Sequence, residues 1–288
     1  MARSWGCGVS EKVLERVVSS GLFGRIERGL FAFPHGTLPW EGWVWAGILL
    51  GGPDARAAGL TAAKLLRLAD DQPPCIEILT PTGTTVSTRD WVSFRRERPG
   101  VRSISTRTEP PCTRIEDTVL DLCRLGQAAA VEWITAAIQR RLTSPEALQR
   151  ALHRRKRMPH RRLITDIVAD AADGVHSTLE YHYRHAVELA HDLPKGKRQR
   201  TREARHEFID VLYEKYALIV ELDGHRGHVG RLRDRRRDNA HTKTSSPSLR
   251  YGWTEVTQES CAVALEVGEV LIGQGWPGSP GHCPNCLR

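Results

Sequence analysis

Three carboxylates lie close together in one short apolar stretch of the chain. It runs Phe208-Ile209-Asp210-Val211-Leu212-Tyr213, turns at Glu214-Lys215, and returns as Tyr216-Ala217-Leu218-Ile219-Val220-Glu221-Leu222-Asp223-Gly224. Strand side chains alternate sides, so Glu221 and Asp223 share a face. With Tyr213 opposite Tyr216 across the turn, Asp210 faces Ile219 and lies diagonal to Glu221. Diagonal neighbours are roughly 7–8 Å apart, a gap that one bridging cation closes. Acids gathered on an apolar sheet repel one another and lose hydration, so they need a cation or a proton. A divalent ion, Mg2+ or Mn2+, is the simplest answer. Asp210 and Glu221 are its first ligands, and Glu180 from the preceding helix is a third.

Such a set suits phosphodiester hydrolysis. The reaction needs a water nucleophile, charge neutralisation on the phosphate and a stabilised leaving oxygen, which a metal held by hard carboxylate oxygens provides. Asp210, Glu221, Asp223 and His228 are the candidate catalytic residues; His225 and His228 flank a Gly-containing turn after the second strand, and either can act as general base. Basic segments surround the hairpin. Lys195-Gly196-Lys197-Arg198-Gln199-Arg200 precedes it, and Arg231-Leu232-Arg233-Asp234-Arg235-Arg236-Arg237 follows. Arg198, Arg200, Arg231, Arg235 and Arg237 are the candidate phosphate contacts, which would make binding salt-dependent. Asp234 and Asp238 interleave with the arginines, so some of these form ion pairs instead. The competing reading is an acidic hairpin in a surface ion-pair network with the arginines.

The whole chain fits a polyanionic partner. Lys and Arg outnumber Asp and Glu by 42 to 34, giving a net charge of +8. Its 288 residues exceed one ordinary core, so two or three domains are predicted. Seven cysteines are scattered without a leader sequence, which points to a reducing cytoplasm. The longest apolar run, Val44 to Leu50, is too short to span a membrane. Cys283-Pro284-Asn285-Cys286, preceded by His282, has the spacing of half a zinc site. No second pair of ligands is visible in the sequence, so the tail after Gly273 reads as loose and thiol-bearing.

The elements that must position these residues can be read from periodicity. Ser10 caps a short helix, and residues 24–33 alternate as a basic hairpin. Residues 40–68 read as helical with a break at Gly51-Gly52-Pro53. Ile76–Thr80, Trp91–Arg95 and Val101–Ser105 read as strands. Helical spacing dominates from Thr113 to about Ala172, where His153-Arg154-Arg155-Lys156-Arg157 reads as a solvated basic face. Ser177 caps a helix to Ala190. Leu249 to Trp253 reads as an edge strand, followed by a terminal helix from about Gln258 to Ile272.

This order, a helix with Glu180, a hairpin with Asp210, then Glu221-x-Asp223, resembles the restriction-endonuclease-like or PD-(D/E)XK superfamily. More closely, Asp210-Val211-Leu212-Tyr213, Val220-Glu221-Leu222-Asp223-Gly224, His228, Arg237-Asp238-Asn239-Ala240 and Leu249-Arg250-Tyr251 resemble actinobacterial proteins related to very-short-patch repair endonucleases. The N-terminal Arg28-Gly29-Leu30-Phe31-Ala32 resembles the wing of AbiEi-type antitoxins, with the first helix of that module missing. These resemblances imply an α+β or α/β multidomain protein. Its parts are a partial winged helix (1–38), a mainly helical antitoxin-like middle (39–172), a restriction-endonuclease-like domain (173–273) and a flexible tail (274–288). They imply a Mg2+-dependent endodeoxyribonuclease in repair or defence, with DNA and a toxin as partners and no small-molecule cofactor or membrane. The alternative is a non-catalytic DNA-binding regulator of the antitoxin type that keeps the nuclease fold. Asp223 stands where the superfamily usually has Lys.

Overall fold

The computed structural model describes residues 11–33, 36, 38–98, 100–105, 108–202, 207–223 and 247–286. The chain is a mixed α/β protein and divides into two compact units. One comprises Met1–Leu122 with His153–Arg157, and the other Cys123–Leu152 with Met158–Arg288. Residues 39–172, which read as one middle domain, are divided between the two: 39–122 and 153–157 go with the first unit, 123–152 and 158–172 with the second.

The first unit begins with α1 (Glu11–Ser19) and a hairpin of β1 (Gly24–Glu27) and β2 (Leu30–Ala32). Gly29 turns this hairpin at a φ of 79°, a left-handed conformation that glycine adopts without strain. There follow α2 (Trp40–Gly51), β3 (Arg56–Ala57), α3 (Gly59–Leu65), β4 (Ile76–Pro81), β5 (Val92–Glu97) and α4 (Ile115–Leu122). Helix α2 stops where the two glycines predict. Gly52 takes a φ of 82°, and its N–H closes the last turn on Ile48 and Leu49 carbonyls. The sheet order is β3-β4-β5, antiparallel and then parallel. Its core includes Val44, Ile48, Ala57, Ile78, Val92 and Cys112.

The strand predicted at Val101–Ser105 does not form; only a single bridge joins Ile104 to Thr113. Its polar groups are committed elsewhere. The Ser103 N–H donates to the Asp117 carboxylate at 2.9 Å, and Arg102 grips Asp121. Arg155, from the basic run that reads as solvent-facing, is only 6% exposed. Its guanidinium bonds Asp121 at 2.6 Å and Asp117 at 2.9 Å. Three further ion pairs, Arg56–Glu97, Arg102–Glu97 and Arg95–Asp121, complete this network.

The second unit contains α5 (Gln127–Gln139), α6 (Pro145–Arg154), α7 (Arg161–Ala172) and α8 (Thr178–His182). Helix α8 begins as the sequence predicts, with the Ser177 hydroxyl accepting from the Glu180 N–H at 3.1 Å. It continues as a π-helical turn over Tyr183–Glu188 and a 3-10 turn over Leu189–His191. The sheet then runs β6 (Lys197–Arg202), β7 (Glu207–Tyr213), β8 (Leu218–Asp223) and β9 (Ser248–Gly252), in that spatial order. The basic segment that reads as a loop is thus an edge strand, β6. Its backbone pairs with β7 from Lys197↔Leu212 to Arg202↔Glu207. Strand β9 runs parallel to β8 at the opposite edge, as its position in the sequence predicts.

Helices α9 (Trp253–Gln258) and α10 (Ser260–Gly273) close the unit. Tyr183, Val187, Val211, Tyr213, Leu218, Val220, Leu249, Val267 and Leu271 form its core. Among the described residues, no helix is long and apolar enough to cross a membrane. The segment after Gly273, expected to be loose, is packed down. The Trp276 N–H donates to the Leu271 carbonyl at 2.9 Å, and its ring lies against the core.

Candidate functional site

Strands β7 and β8 carry their residues to two faces. Val211, Tyr213, Leu218 and Val220 are buried in the core, while Asp210, Leu212, Ile219, Glu221 and Asp223 are on the other face. The register differs from the one the sequence suggests. The turn is a 3-10 turn over Glu214–Tyr216, followed by Ala217 at a φ of 50°, so Tyr213 pairs with Leu218 rather than Tyr216. Leu212 then pairs with Ile219 and Val211 with Val220. One step further along this ladder, Asp210 stands opposite Glu221, not diagonal to it. The shift of two residues keeps every side chain on its intended face, which is why the hydrophobic pattern alone did not reveal it.

The consequence appears in the acidity of Asp210. Burial pushes its carboxyl above the usual carboxylate range and the facing charge of Glu221 adds to this; the Leu222 N–H, donating to Oδ2 at 2.7 Å, opposes them. Glu180, at 5% exposure in the first turn of α8, is also pushed up. Burial is the main cause and the charge of Asp210 contributes, so the two acids sense each other. The His176 N–H and the Ser177 hydroxyl hold the Glu180 carboxylate in place, and they pull its acidity the other way.

Glu221 has a partner that the sequence reading did not assign. Arg250 on β9 pairs in register with Glu221, and its guanidinium donates to Glu221 Oε2, with Nε at 2.8 Å. Asp210, Glu221 and Arg250 thus form one row across β7, β8 and β9. The signal was present in the Leu249-Arg250-Tyr251 motif, but it could not be read without the strand register. Both side chains of this ion pair are well exposed, so it contributes only about 0.2–1 kcal/mol and exchanges readily. Asp223, half-buried, lies further along β8 opposite Gly252.

Arg198, predicted to contact phosphate, is turned inward. It is 7% exposed and forms a buried ion pair with Glu188, which also accepts from Tyr213 Oη at 2.8 Å. Tyr183 and Tyr213 hydroxyls lie 3.1 Å apart beside them, and burial pushes both well above the usual phenol range. A guanidinium already committed to a buried carboxylate has no free donor face for DNA. Arg200 lies on β6 opposite Ile209. His225, His228, Arg231, Arg235 and Arg237 lie outside the described residues.

The donor chemistry of Asp210, Glu221 and Glu180 fits a hard divalent cation: oxygen ligands, partly desolvated, with mutual repulsion that a cation relieves. Among the described residues, however, the group of ligand atoms that already converges is a different one. His191, Cys261, Cys283 and Cys286 have ligand atoms all within 4.8 Å of one another. Of these the sequence indicated only the Cys283–Cys286 pair. His282, the neighbour that seemed to belong with it, is exposed and outside the group.

No family model matches the chain, and no curated protein matches it. Among solved structures, it is similar to the RV2827C protein from Mycobacterium tuberculosis, at 20% identity and a TM-score of 0.38. The match covers 58% of this chain and 68% of that one.

Proposed function

We propose that the region 173–273 is a restriction-endonuclease-like domain that hydrolyses DNA with Mg2+ or Mn2+. The observation that carries this reading is the placing of Asp210 and Glu221 on one sheet face, with the Asp210 pKa raised above its ordinary value by burial and by that neighbour. The order of elements supports it: a helix bearing Glu180, three antiparallel strands, a parallel fourth strand and a closing helix. Asp210 and Glu221 would hold the cation, and Glu180, whose carboxyl the charge of Asp210 helps to raise, adds a third acid at this end. When bound, the metal supplies positive charge at the phosphate and an acidified water. Arg250, paired in register with Glu221 and exposed, would offer a phosphate oxygen a planar, bidentate donor. Asp223, in the place of the superfamily lysine, supplies a carboxylate where that lysine would offset phosphate charge.

The N-terminal helix α1 and hairpin β1–β2 support a partial winged helix of the antitoxin type, with DNA, and a toxin, as partners. Cytoplasmic action in repair or defence follows from the same reading. A second reading, a DNA-binding regulator without cleavage, is favoured by one feature: the Arg250 guanidinium pairs with Glu221.

Nicking of supercoiled plasmid separates the two. The nuclease reading predicts Mg2+- or Mn2+-dependent nicking, reduced by ~100-fold or more in Asp210→Asn and Glu221→Gln, the scale seen when a charge-stabilising group is removed. DNA binding without nicking in any divalent metal supports the regulator. Absence of DNA binding at low salt removes both.

A further inference from the structure

We propose that His191, Cys261, Cys283 and Cys286 form a structural zinc site that fastens the C-terminal segment onto the second unit. Four ligand atoms come together from three places: the end of the helix after α8, the start of α10, and the Cys-x-x-Cys turn. Their spacing matches a tetrahedron. Zinc–sulfur bonds of about 2.3 Å give ligand–ligand edges of about 3.8 Å, slightly shorter where a nitrogen takes part. The edges here are 3.5 Å for Cys261–Cys283, 3.7 Å for Cys283–Cys286 and 3.4 Å from Cys286 Sγ to His191 Nε2. A sulfur–sulfur separation of 3.5 Å is far longer than a disulfide bond of about 2.05 Å, and all three are free thiols.

The surroundings of these four side chains are those of metal ligands. His191 is 1% exposed, and its Nδ1 lies 3.1 Å from the Val187 carbonyl. Only a protonated Nδ1 can bond there, which leaves the Nε2 lone pair facing the three sulfurs. This outer hydrogen bond is the usual device for orienting a metal-binding imidazole. Cys283, 5% exposed, accepts from the Asn285 N–H at 3.3 Å, as a thiolate in a ligating turn does. One imidazole and three thiolates are soft, tetrahedral donors that suit zinc and not Mg2+.

The fastening itself is visible in the backbone. The Gly281 N–H donates to the His191 carbonyl at 2.7 Å, so the tail is tied to the very residue that supplies the imidazole. Further back, Pro280 crosses α10 at Gly268. A Cβ at Gly268 would meet Pro280 Cγ at 2.2 Å, so the segment can lie this close only over glycine. A metal bridging this stretch to two other elements adds to the packing of Trp276 and holds the Cys-x-x-Cys turn down directly.

The test is the metal content of the purified full-length chain and of its Co2+-substituted form. We predict roughly one zinc per chain, which a thiol-reactive reagent releases, and a Co2+ form with tetrahedral visible bands and thiolate charge-transfer absorption. Cys286→Ser loses the zinc, Cys75→Ser keeps it, and Cys286→His keeps it with a shifted Co2+ spectrum, which guards against simple misfolding of the serine variant. With zinc removed, protease cuts within 274–286. The proposal is overturned by metal-free protein whose Co2+ spectrum is featureless, or by peptide mapping that finds a disulfide among Cys261, Cys283 and Cys286. It is equally overturned if zinc persists undiminished in Cys286→Ser.

Discussion

Two sets of acidic side chains in this protein have opposite surroundings. In the first unit, Asp121 sits among arginines. Burial alone would raise its carboxyl, but the hydrogen bond from Arg102 and the charges of Arg155 and Arg102 win, and its pKa lies below the usual carboxylate value. In the second unit, Asp210 and Glu180 are raised, with burial the main cause and a neighbouring acid adding to it. The first set is neutralised within the fold and has nothing left to bind. In the second, Glu180 feels the charge of Arg198 without being brought below its ordinary value, and the neighbouring Glu221 pairs with the exposed Arg250. Buried charge that the fold itself balances is structural; buried charge left partly unbalanced is relieved by a proton or by a cation.

Breaking the balanced set has the larger effect. Arg155→Ala takes from Asp117 its ion pair with Arg155 and from Asp121 one of its three arginines, and is predicted to destabilise the protein by about 3–5 kcal/mol, read by denaturant unfolding. A loss within 1 kcal/mol would show that this network is not balanced as described.

The unbalanced set responds in the opposite direction. Asp210→Asn keeps an acceptor for the Leu222 N–H and removes the charge. Metal-free protein is predicted to gain stability at neutral pH, on the order of the 0.5–2 kcal/mol commonly obtained by relieving a functional site. The sign follows from linkage. Asp210 has a raised folded value, so its favourable contribution is present below the unfolded pKa of about 4 and is lost as pH rises through the folded one. The gain from Asp210→Asn therefore fades as pH falls below about 4, where the native acid is protonated in both states. Asp121, with a lowered folded value, stabilises above about pH 4 and loses that contribution as pH falls through its folded value. Thermal unfolding of both proteins across this range measures the two signs separately.

The parts of the fold legible in the sequence were those set by local rules. The Ser177 cap, the break at Gly52 and the alternation that places Val211 and Val220 inward depend only on neighbours in the chain. What escaped was set by partners distant in sequence. The Glu221–Arg250 pair spans 29 residues and needs the parallel register of β8 and β9 to be seen. His191 and Cys286 are 95 residues apart, so the half-site at Cys283-Pro284-Asn285-Cys286 had no visible complement. The inward turn of Arg198 and Arg155 was hidden for a related reason. A basic run looks solvated until the acid that neutralises each arginine is located, here Glu188 and the Asp117–Asp121 pair.

The unbalanced carboxylates are tested most directly by anomalous diffraction from crystals soaked in Mn2+. A peak bonded to Asp210 and Glu221, with Arg250 displaced from Glu221 and no such peak in Asp210→Asn, is the predicted result. Intact Glu221–Arg250 pairing with no manganese between the two acids at saturating concentration would contradict it.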